Sequence, residues 1–403
     1  MSKTEMPSIR FYGFDNDWEQ RKLEDYLTVS AEKNTGNIYG RSDVLSVSGD
    51  YGIVNQIEFQ GRSFAGASVS NYGVVQTGDV VYTKSPLNSN PYGIIKTNKG
   101  KPGIVSTLYA VYHPKENAFS DFIQVYFEQH ARMNNYMHPL VNKGAKNDMK
   151  VSAENALTGP VCFPSRIEQE SISAFFSVLD NLITLHQRKF EKLTNVKKSM
   201  LEKMFPRNGS CYPEIRFKGF TDPWEQRKLG ELALFNPKDE LPQTFEYVDL
   251  ESVVGTEMLS HRTEVKSSAP SRAQRLAHTG DLFYQTVRPY QKNNYLYEKP
   301  DNNYVFSTGY AQMRPYVDGY FLLSLVQSER FVKVVLDNCT GTSYPAINAN
   351  DLAEIEVAAS SDESEAQKIG TIFRSIDNLI TLHQCELEKL QSIKKALLEK
   401  MFV

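Results

Sequence analysis

The eight residues "DNLITLHQ" occur twice in this chain, at Asp180–Gln187 and again at Asp377–Gln384. The second copy begins 197 positions after the first, a spacing far beyond the 20–50 residues of a solenoid repeat. The likeness continues on both sides: residues 175–205 and 372–402 are identical at 19 of 31 aligned positions, and both end in "LEKMF". A segment of this length does not recur by chance, so the chain contains an internal duplication.

A second pair of matches opens each half of the chain. "IRFYGF" begins at Ile9 and "IRFKGF" at Ile215, and "WEQRKL" begins at Trp18 and again at Trp224. The chain is therefore two copies of one unit of about 200 residues. We expect the like ends to be a scaffold and the unlike middles to be recognition surfaces, and neutral drift is the alternative. Weaker matches follow in the same order, and they are "GDVVYTK" with "GDLFYQT" and "STLYAVYHP" with "STGYAQMRP".

The composition is that of a globular protein. The 403 residues suggest two or three domains, and 40% hydrophobic and 23% charged residues are ordinary values. The net charge of −3 means that an acidic partner must be met by local basic patches. Four widely spaced cysteines without a CxxC pair indicate reduced thiols in a cytosol. We expect neither a signal peptide nor a transmembrane helix, because no long apolar run is present.

Each unit ends in a predicted long helix. Ten positions step alternately by four and three, which is a heptad seam, and eight of the ten are apolar in both copies. No Pro or Gly interrupts residues 166–205, so the first helix is predicted to be roughly 55–60 Å long. The seam positions are Ile172, Phe176, Leu179, Ile183, His186, Phe190, Leu193, Lys197, Met200 and Met204, and Ile369, Phe373, Ile376, Ile380, His383, Leu387, Leu390, Lys394, Leu397 and Met401.

Two helices with the same seam most simply pack on each other, and an approximate two-fold axis across the seam makes them antiparallel. The end of the second helix would then lie beside the start of the first unit. The alternative is that each helix packs only on its own domain. His186 and His383 occupy the same seam slot. They are either a metal or pH-sensing site or a polar slot that fixes the register, and we favour the register role because the seam supplies few other ligands.

The middles, residues 20–160 and 226–360, contain β-rich runs broken by Gly, Pro and Asn turns and short amphipathic helices. We therefore predict an α+β fold. It consists of two globular domains of mixed sheet and helices, separated by two long antiparallel coiled-coil helices, in a pseudo-two-fold internal repeat. The predicted boundaries are 1–164 and 206–361 for the domains, and 165–205 and 362–403 for the helices.

No catalytic constellation is present in the sequence. "GIIKTNKGK", from Gly93, separates its glycines by six residues and lacks the following hydroxyl, whereas a P-loop requires four residues and a Ser or Thr. "DPW", from Asp222, lacks the second Pro of an amino-methyltransferase motif and is interpreted as a turn. The chain has no HExxH and no GxSxG motif, and its histidines do not have metal-ligand spacing. We therefore assign no catalytic residue and no metal site, and a lone methyltransferase is disfavoured.

Binding is the better interpretation of the middles. "YTKSPLNSNPYGIIKTNKGK" and "QTVRPYQKNNYLYEKP" interleave Lys and Arg with Asn, Gln and Tyr. Cations neutralise phosphates, and Asn, Gln and Arg form paired hydrogen bonds with base edges. A solvated polar loop is the alternative for each single residue. The candidate DNA-binding residues are Lys84, Asn88, Asn90, Tyr92, Lys96, Lys99, Lys101, Arg288, Tyr290, Lys292, Asn293 and Asn294.

Taken together, three marks resemble the specificity subunit of a type I restriction–modification enzyme over essentially the whole chain. They are the paired "DNLITLHQ…EKL…KK..LEKMF" helices, the repeated "F.GF…WEQRKL" openings and the strand starts at Gly78 and Gly280. The resemblance implies that each middle is a target recognition domain for one half of a split site in double-stranded DNA, and that the helices set the gap. It implies a cytoplasmic, non-catalytic chain without a bound cofactor.

The same resemblance implies two modification subunits, which bind S-adenosylmethionine and methylate adenine, and two restriction subunits, which use ATP and Mg²⁺. We expect the modification subunits to dock on the long helices, because both copies retain charged residues outside the seam. A two-headed protein-binding scaffold without DNA contact is the alternative function. The predicted spacer and docking residues are Ile183, His186, Phe190, Leu193, Lys198, Glu202, Ile380, His383, Leu387 and Leu390.

Overall fold

The structure is a computed structural model that describes residues 6–84, 90–143, 149–207, 209–341 and 344–403. The chain forms two compact units. The first unit consists of Met1–Leu185 together with Glu386–Val403, and the second unit is His186–Cys385. Each unit therefore contains one part of residues 165–205 and one part of residues 362–403, the two predicted long helices.

The two long helices predicted from the heptad pattern are present. They are α4 (Arg166–Lys203) and α9 (Glu363–Lys400), each of 38 residues. The remaining α-helices of the described residues are short: α1 (Gln56–Gln60), α2 (Ser120–Tyr126), α3 (His130–Met137), α5 (Leu229–Leu232), α6 (Gly319–Gln327), α7 (Glu329–Asp337) and α8 (Ala349–Ala353).

The first unit combines these helices with short strands. A four-stranded antiparallel sheet has the order β2-β9-β6-β7, and the pairs are β1-β12, β3-β4, β5-β8 and β10-β11. The strands are β1 (Glu19–Lys22), β2 (Leu27–Val29), β3 (Leu45–Ser48), β4 (Gly52–Asn55), β5 (Gly73–Val75), β6 (Val80–Thr83), β7 (Ile95–Thr97), β8 (Gly103–Val105), β9 (Tyr109–Pro114), β10 (Asn142–Lys143), β11 (Met149–Lys150) and β12 (Pro160–Phe163).

The second unit contains two four-stranded sheets. Their orders are β14-β23-β20-β21 and β18-β15-β22-β19, and β15 and β22 run parallel. The strands are β13 (Glu225–Lys228), β14 (Ala233–Phe235), β15 (Thr244–Val248), β16 (Val253–Val254), β17 (Glu257–Met258), β18 (Arg262–Val265), β19 (Ala273–Leu276), β20 (Leu282–Gln285), β21 (Tyr295–Leu296), β22 (Tyr304–Ser307), β23 (Tyr310–Pro315) and β24 (Glu356–Ala359).

The repeated motifs occupy equivalent places in the two units, which confirms the internal repeat and the mixed helix-and-sheet fold. Strand β1 of the first "WEQRKL" pairs with β12, immediately before α4, and β13 of the second pairs with β24, immediately before α9. The two "GD" marks are also equivalent. Gly78 and Gly280 have φ angles of 91° and 97°, which favour glycine, and the buried Asp79 and Asp281 that follow close the turns before β6 and β20.

The opening segment of the first unit is fixed to α4 by a buried carboxylate. Arg10 donates two hydrogen bonds of 2.7 Å to the side chain of Glu168, and Trp18 Nε1 lies 3.4 Å from the same carboxylate. The Glu168 side chain is 1% exposed. A charge removed from water in this way is stable only when it is paired and hydrogen-bonded, so these three residues depend on one another.

The second unit repeats this cluster. Arg216 donates hydrogen bonds of 2.6 and 2.9 Å to Glu365, and Trp224 Nε1 donates one of 3.0 Å. Ser360 adds a fourth donor at 2.6 Å. Burial alone would raise the pKa of Glu365, but the hydrogen bonds from Arg216 and Ser360 hold that pKa below its ordinary value. The repeated openings are therefore alike because they bind the starts of the long helices.

The C-terminal ends of both long helices are also held within a unit. In the first unit the Ile9 amide donates to the Lys400 carbonyl at 3.0 Å, and in the second the Ile215 amide donates to the Lys203 carbonyl at 2.9 Å. These bonds satisfy carbonyls that have no partner inside a helix. The end of α9 thus lies beside the start of the first unit, as the sequence predicted.

Matching positions of the internal repeat also form ion pairs along the helix seam. In the first unit Lys394 bonds Asp180, the first residue of "DNLITLHQ", and Glu128, both at 2.7 Å. The rings of Phe176 and Phe402 lie 5.9 Å apart. Contacts therefore move forward along α4 and backward along α9, so the two helix segments of this unit are antiparallel. Because Phe402 is part of the core of the first unit, the alternative that each helix packs only on its own domain is wrong.

The second unit shows the equivalent seam. Lys197 bonds Asp377, the first residue of the second "DNLITLHQ", at 2.6 Å, and the Tyr320 hydroxyl donates to the same carboxylate at 2.9 Å. The rings of Phe205 and Phe373 lie 6.2 Å apart. The helix segments of this unit are antiparallel too, and the seam Lys of each copy meets the repeated Asp of the other copy.

Replacing Glu168 by Ala should destabilise the first unit by about 3–5 kcal/mol, because Arg10 would remain buried without its counter-charge. Glu170, two residues further along α4, provides the control, since it is exposed and forms an i,i+4 pair with Arg166 on the helix surface. Glu170→Ala should change stability by less than about 1 kcal/mol. Urea unfolding followed by fluorescence measures both variants, and equal losses would contradict the role assigned to Glu168.

Candidate nucleic-acid interface

Some candidate residues of the first unit are held by contacts within that unit and do not extend freely into solvent. The Lys96 side chain is 11% exposed, and its ammonium lies 3.5 Å from the Glu128 carboxylate. Asn90 is buried, and its Oδ1 is hydrogen-bonded to His130 Nδ1 at 2.9 Å. Tyr92 packs half-buried against the core. A phosphate contact by Lys96 would require the pair with Glu128 to break.

Glu128 lies between two lysines of the first unit, Lys96 and Lys394. Burial raises its pKa, but the charges of Lys394 and Lys96 outweigh burial and hold the pKa of this carboxyl below its ordinary value. A lowered folded-state pKa means that the group stabilises the fold above its unfolded-state pKa, and that this contribution is lost as pH falls through the folded-state pKa. Lys96 therefore has a structural role in the folded chain.

The other candidates of the first unit are more accessible. The Lys99 side chain is 53% exposed and lies 3.3 Å from Asp121, Lys101 is exposed, and Lys84 is half-buried. Asn88 lies outside the described residues. Lys99 and Lys101 are therefore the cations of this stretch that can reach a phosphate without rearrangement of the fold.

Three candidates of the second unit are held by contacts within that unit, and two of them bond its backbone. Asn294 is buried and its Oδ1 accepts a hydrogen bond of 2.9 Å from the Gln285 amide. Asn293 Oδ1 accepts one of 2.8 Å from the Gly255 amide. Lys292 is paired with Glu329 at 2.8 Å. These side chains position the loop after β20 and are not free to meet a ligand.

Arg288 and Tyr290 differ from these neighbours, because Tyr290 is exposed and the half-buried Arg288 lies against an exposed ring. Tyr290 is 51% exposed, and the Arg288 guanidinium lies 4.7 Å from the ring centroid of Tyr344. Sequence reasoning did not select Tyr344, which belongs to the stretch "GTSYPAINANDL" that begins at Gly341. The combination of Gly, Ser and Pro around an aromatic residue was the available indication.

His186 and His383 meet in the second unit. Their Nδ1 atoms lie 3.2 Å apart, and the rings are edge to face with centroids 5.1 Å apart. Partial burial and the charges of His186 and Lys189 lower the pKa of His383. Among the described residues no group of three His, Cys, Asp or Glu side chains could hold a metal ion. The register role of this pair stays a prediction.

The long helices carry exposed apolar residues that sequence reasoning missed. On α4 Phe175, Val178, Leu182 and Leu185 are all at least 39% exposed, and their three-and-four spacing places them in one stripe. On α9 the equivalents of the last two, Leu379 and Leu382, are exposed as well. Apolar residues lined up in water are typical of an interaction surface. We call these residues the outer stripe.

The predicted docking residues fall into two groups. Lys198 is exposed, whereas Glu202 is half-buried and lies 3.3 Å from Arg330. Arg330 also donates to the Phe205 carbonyl at the end of α4, so Glu202 is part of the fold of the second unit. The other eight are seam residues, and all are half-buried except the buried Leu387: Ile183, His186, Phe190, Leu193, Ile380, His383, Leu387 and Leu390.

The described part of the chain has no helix that is long and apolar enough to cross a membrane. No protein-family model matches the chain. Over 416 residues it is 21% identical to the MjaX specificity subunit of a type I restriction enzyme from Methanocaldococcus jannaschii, with 98% of this chain and 94% of that protein covered. It is 22% identical to the MjaVIII type I specificity subunit of the same organism, with 74% and 73% covered.

Among solved structures, the chain is similar to the type I restriction–modification S subunit from M. genitalium. The TM-score is 0.61, the sequence identity is 13%, and 99% of each chain is covered. At this identity the likeness concerns the fold alone. Together with the curated relatives it confirms the resemblance to type I specificity subunits that was identified from the repeated helices and openings.

Replacing Lys99 or Lys101 by Ala should weaken duplex DNA binding for all sequences alike and reduce the salt slope by about one for each phosphate that the variant no longer neutralises. Their stability should not change, since both side chains are exposed. Lys96→Met retains the apolar stem and serves as the control. It should lower the free energy of unfolding, because Glu128 loses one of its two lysines. An unchanged salt slope for both Lys99 and Lys101 variants would move the DNA surface elsewhere.

Proposed function

We propose that this chain is the DNA-specificity subunit of a type I restriction–modification enzyme, a non-catalytic chain that recognises a two-part target in double-stranded DNA. The observation that carries the proposal is one scaffold used twice under two different surfaces. Both units have the buried Arg–Glu–Trp cluster, the Asp–Lys seam pair and a four-stranded sheet of matching order. The end-to-end likeness to a curated specificity subunit supports it.

The surfaces outside the shared scaffold differ between the units. The second unit adds the sheet β18-β15-β22-β19, whereas the first has the strand pairs β3-β4 and β5-β8. Their candidate cations differ as well, with the exposed Lys99 and Lys101 in the first unit and the half-buried Arg288 in the second. Two unlike surfaces on like scaffolds suit a target whose two halves have unrelated sequences, with one half-site for each unit.

Exchanging residues 20–160 for the corresponding middle of a related specificity subunit tests this division. The exchange leaves Arg10, Trp18 and Glu168 in place, so the scaffold cluster of the first unit is retained. The adenine-methylation motif of the assembled enzyme should change in one half only. The reciprocal control, an exchange of residues 226–360, should change the other half. A change of both halves after a single exchange would disprove the division into two readers.

The same proposal assigns the chemistry to partner subunits. Two modification subunits would bring S-adenosylmethionine, and two restriction subunits would bring ATP and Mg²⁺, in the cytoplasm where the DNA is. The outer stripe occurs on both α4 and α9, which supports two equivalent docking faces for modification subunits. Lys198 and its equivalent Lys395 are exposed on the same two helices.

Replacing Leu182 and Leu379 by Glu should prevent the modification subunits from docking, because each change puts a charge into an apolar contact. Each single variant should lose one modification subunit, and the double variant should lose both. Ser177→Glu is the matched control, since Ser177 is exposed on α4 but does not belong to the outer stripe. The mass of the co-purified complex measures the outcome. Normal assembly of the double variant would exclude this face.

A further inference from the structure

The loop after β20 contains two residues in the left-handed backbone conformation, although neither of them is a glycine. Arg288 and Lys292 have φ angles of 55° and 56° and flank the short 3-10 turn Pro289–Gln291. The left-handed region is sparsely populated by residues other than glycine. Such strain persists only where surrounding contacts enforce it, and it concentrates at ligand-binding sites.

Buried amide side chains enforce this conformation. Gln285 is 2% exposed, and its Nε2 donates hydrogen bonds of 2.6 Å to the Val287 carbonyl and 2.9 Å to Gln291 Oε1. The Gln285 amide is itself held by the side chain of Asn294, which is 1% exposed. Hydrogen bonds from side chains of its own unit thus hold the turn near both of its ends.

A second loop is bonded to the first through the backbone. The Arg288 amide donates to the Pro345 carbonyl at 2.8 Å, and the Ile347 amide donates to the Thr286 carbonyl at 3.0 Å. This places Tyr344, which is 64% exposed, beside Arg288. The half-buried Arg288 and the exposed Tyr290 and Tyr344 together form what we call the reading patch.

The guanidinium of Arg288 is oriented by an aromatic ring. Its Cζ atom lies over the ring of Tyr344, 4.7 Å from the centroid, a cation–π contact that does not use the N–H donors of the guanidinium. In the part of the chain that the structure describes, no carboxylate forms an ion pair with Arg288, whereas the nearby Lys292 is paired with Glu329 at 2.8 Å. Arg288 is therefore a positioned cation without a carboxylate partner among the described residues.

We propose that the reading patch contacts bases in the half-site of the second unit, with Arg288 as the residue that specifies a guanine. This inference rests on the proposed function. An arginine in fixed orientation forms two hydrogen bonds with guanine O6 and N7 in the major groove, a pairing that other base pairs do not offer. The rings of Tyr290 and Tyr344 supply apolar contact beside it, and the strained turn gives the guanidinium one position instead of many.

Selection from a random duplex DNA library with the full chain tests the assignment through two variants. Arg288→Asn removes the guanidinium but tolerates the left-handed backbone, and Arg288→Lys retains the charge without the planar fork. The wild-type chain should select a two-part motif. Both variants should lose discrimination at one G·C pair of one half-site by about 10- to 100-fold, while the other half-site stays unchanged.

The effects of the two variants on the selected motif distinguish a base contact from a phosphate contact. If Arg288 touched only phosphate, Arg288→Lys would keep the complete motif and Arg288→Asn would weaken all sequences alike, and the proposal would be overturned. Arg272→Asn is the control, because Arg272 is an exposed cation of the same unit that precedes β19. It removes the same charge and should leave the motif intact.

Different results would overturn the proposed function and the assignment of Arg288. A wild-type chain that selects no motif would overturn the proposed function and this inference together. A wild-type motif that Arg288→Asn and Arg288→Lys both retain in full would overturn the reading patch alone and leave the function standing. Loss of the motif in both halves would show that Arg288 supports the whole fold, which would also overturn the assignment.

Discussion

The buried carboxylate at the start of each long helix is the constraint on which the scaffold depends. Glu168 and Glu365 have side chains that are 1% and 0% exposed, and a carboxylate in such a place requires donors on all sides. Arg10 and Trp18, or their second-unit equivalents, are the donors, and they come from the segment that opens the unit. The need to pair this buried carboxylate therefore joins the opening segment of each repeat copy to the start of the long helix that ends the same copy.

Much of the fold could be predicted because periodic patterns report it directly. The heptad seam predicted helices at 165–205 and 362–403, close to Arg166–Lys203 and Glu363–Lys400. Polar pairings over long separations carry no such pattern. Nothing in the sequence around Lys96 indicates that Glu128 lies opposite and buries it, and the left-handed backbone of Arg288 has no sequence signature. The sequence could therefore indicate candidate stretches, whereas the burial and the partners of their individual residues became known only from the structure.

In the candidate stretch of the second unit, side chains that hold the backbone lie beside side chains that remain accessible. Asn293 and Asn294 were attractive as base readers because of their amides, yet both amides accept hydrogen bonds from backbone N–H groups of their own unit. Residues that fix a loop and residues that read a ligand have the same polar composition. Only burial and hydrogen-bond partners distinguish them, which is why composition could select the loop as a candidate but could not sort its residues.

The seam ion pairs have a consequence for the origin of the chain. Lys394 bonds Asp180, and Lys197 bonds Asp377, so the Lys of each copy meets the Asp of the other. A polypeptide of one unit carries both partners, Asp180 and Lys197, and two such molecules related by a two-fold axis would satisfy the same pairs. The duplicated chain thus has the contact pattern of a symmetric dimer whose subunits became covalently joined. In a single chain, each half can change its outer surface while these shared pairs are kept.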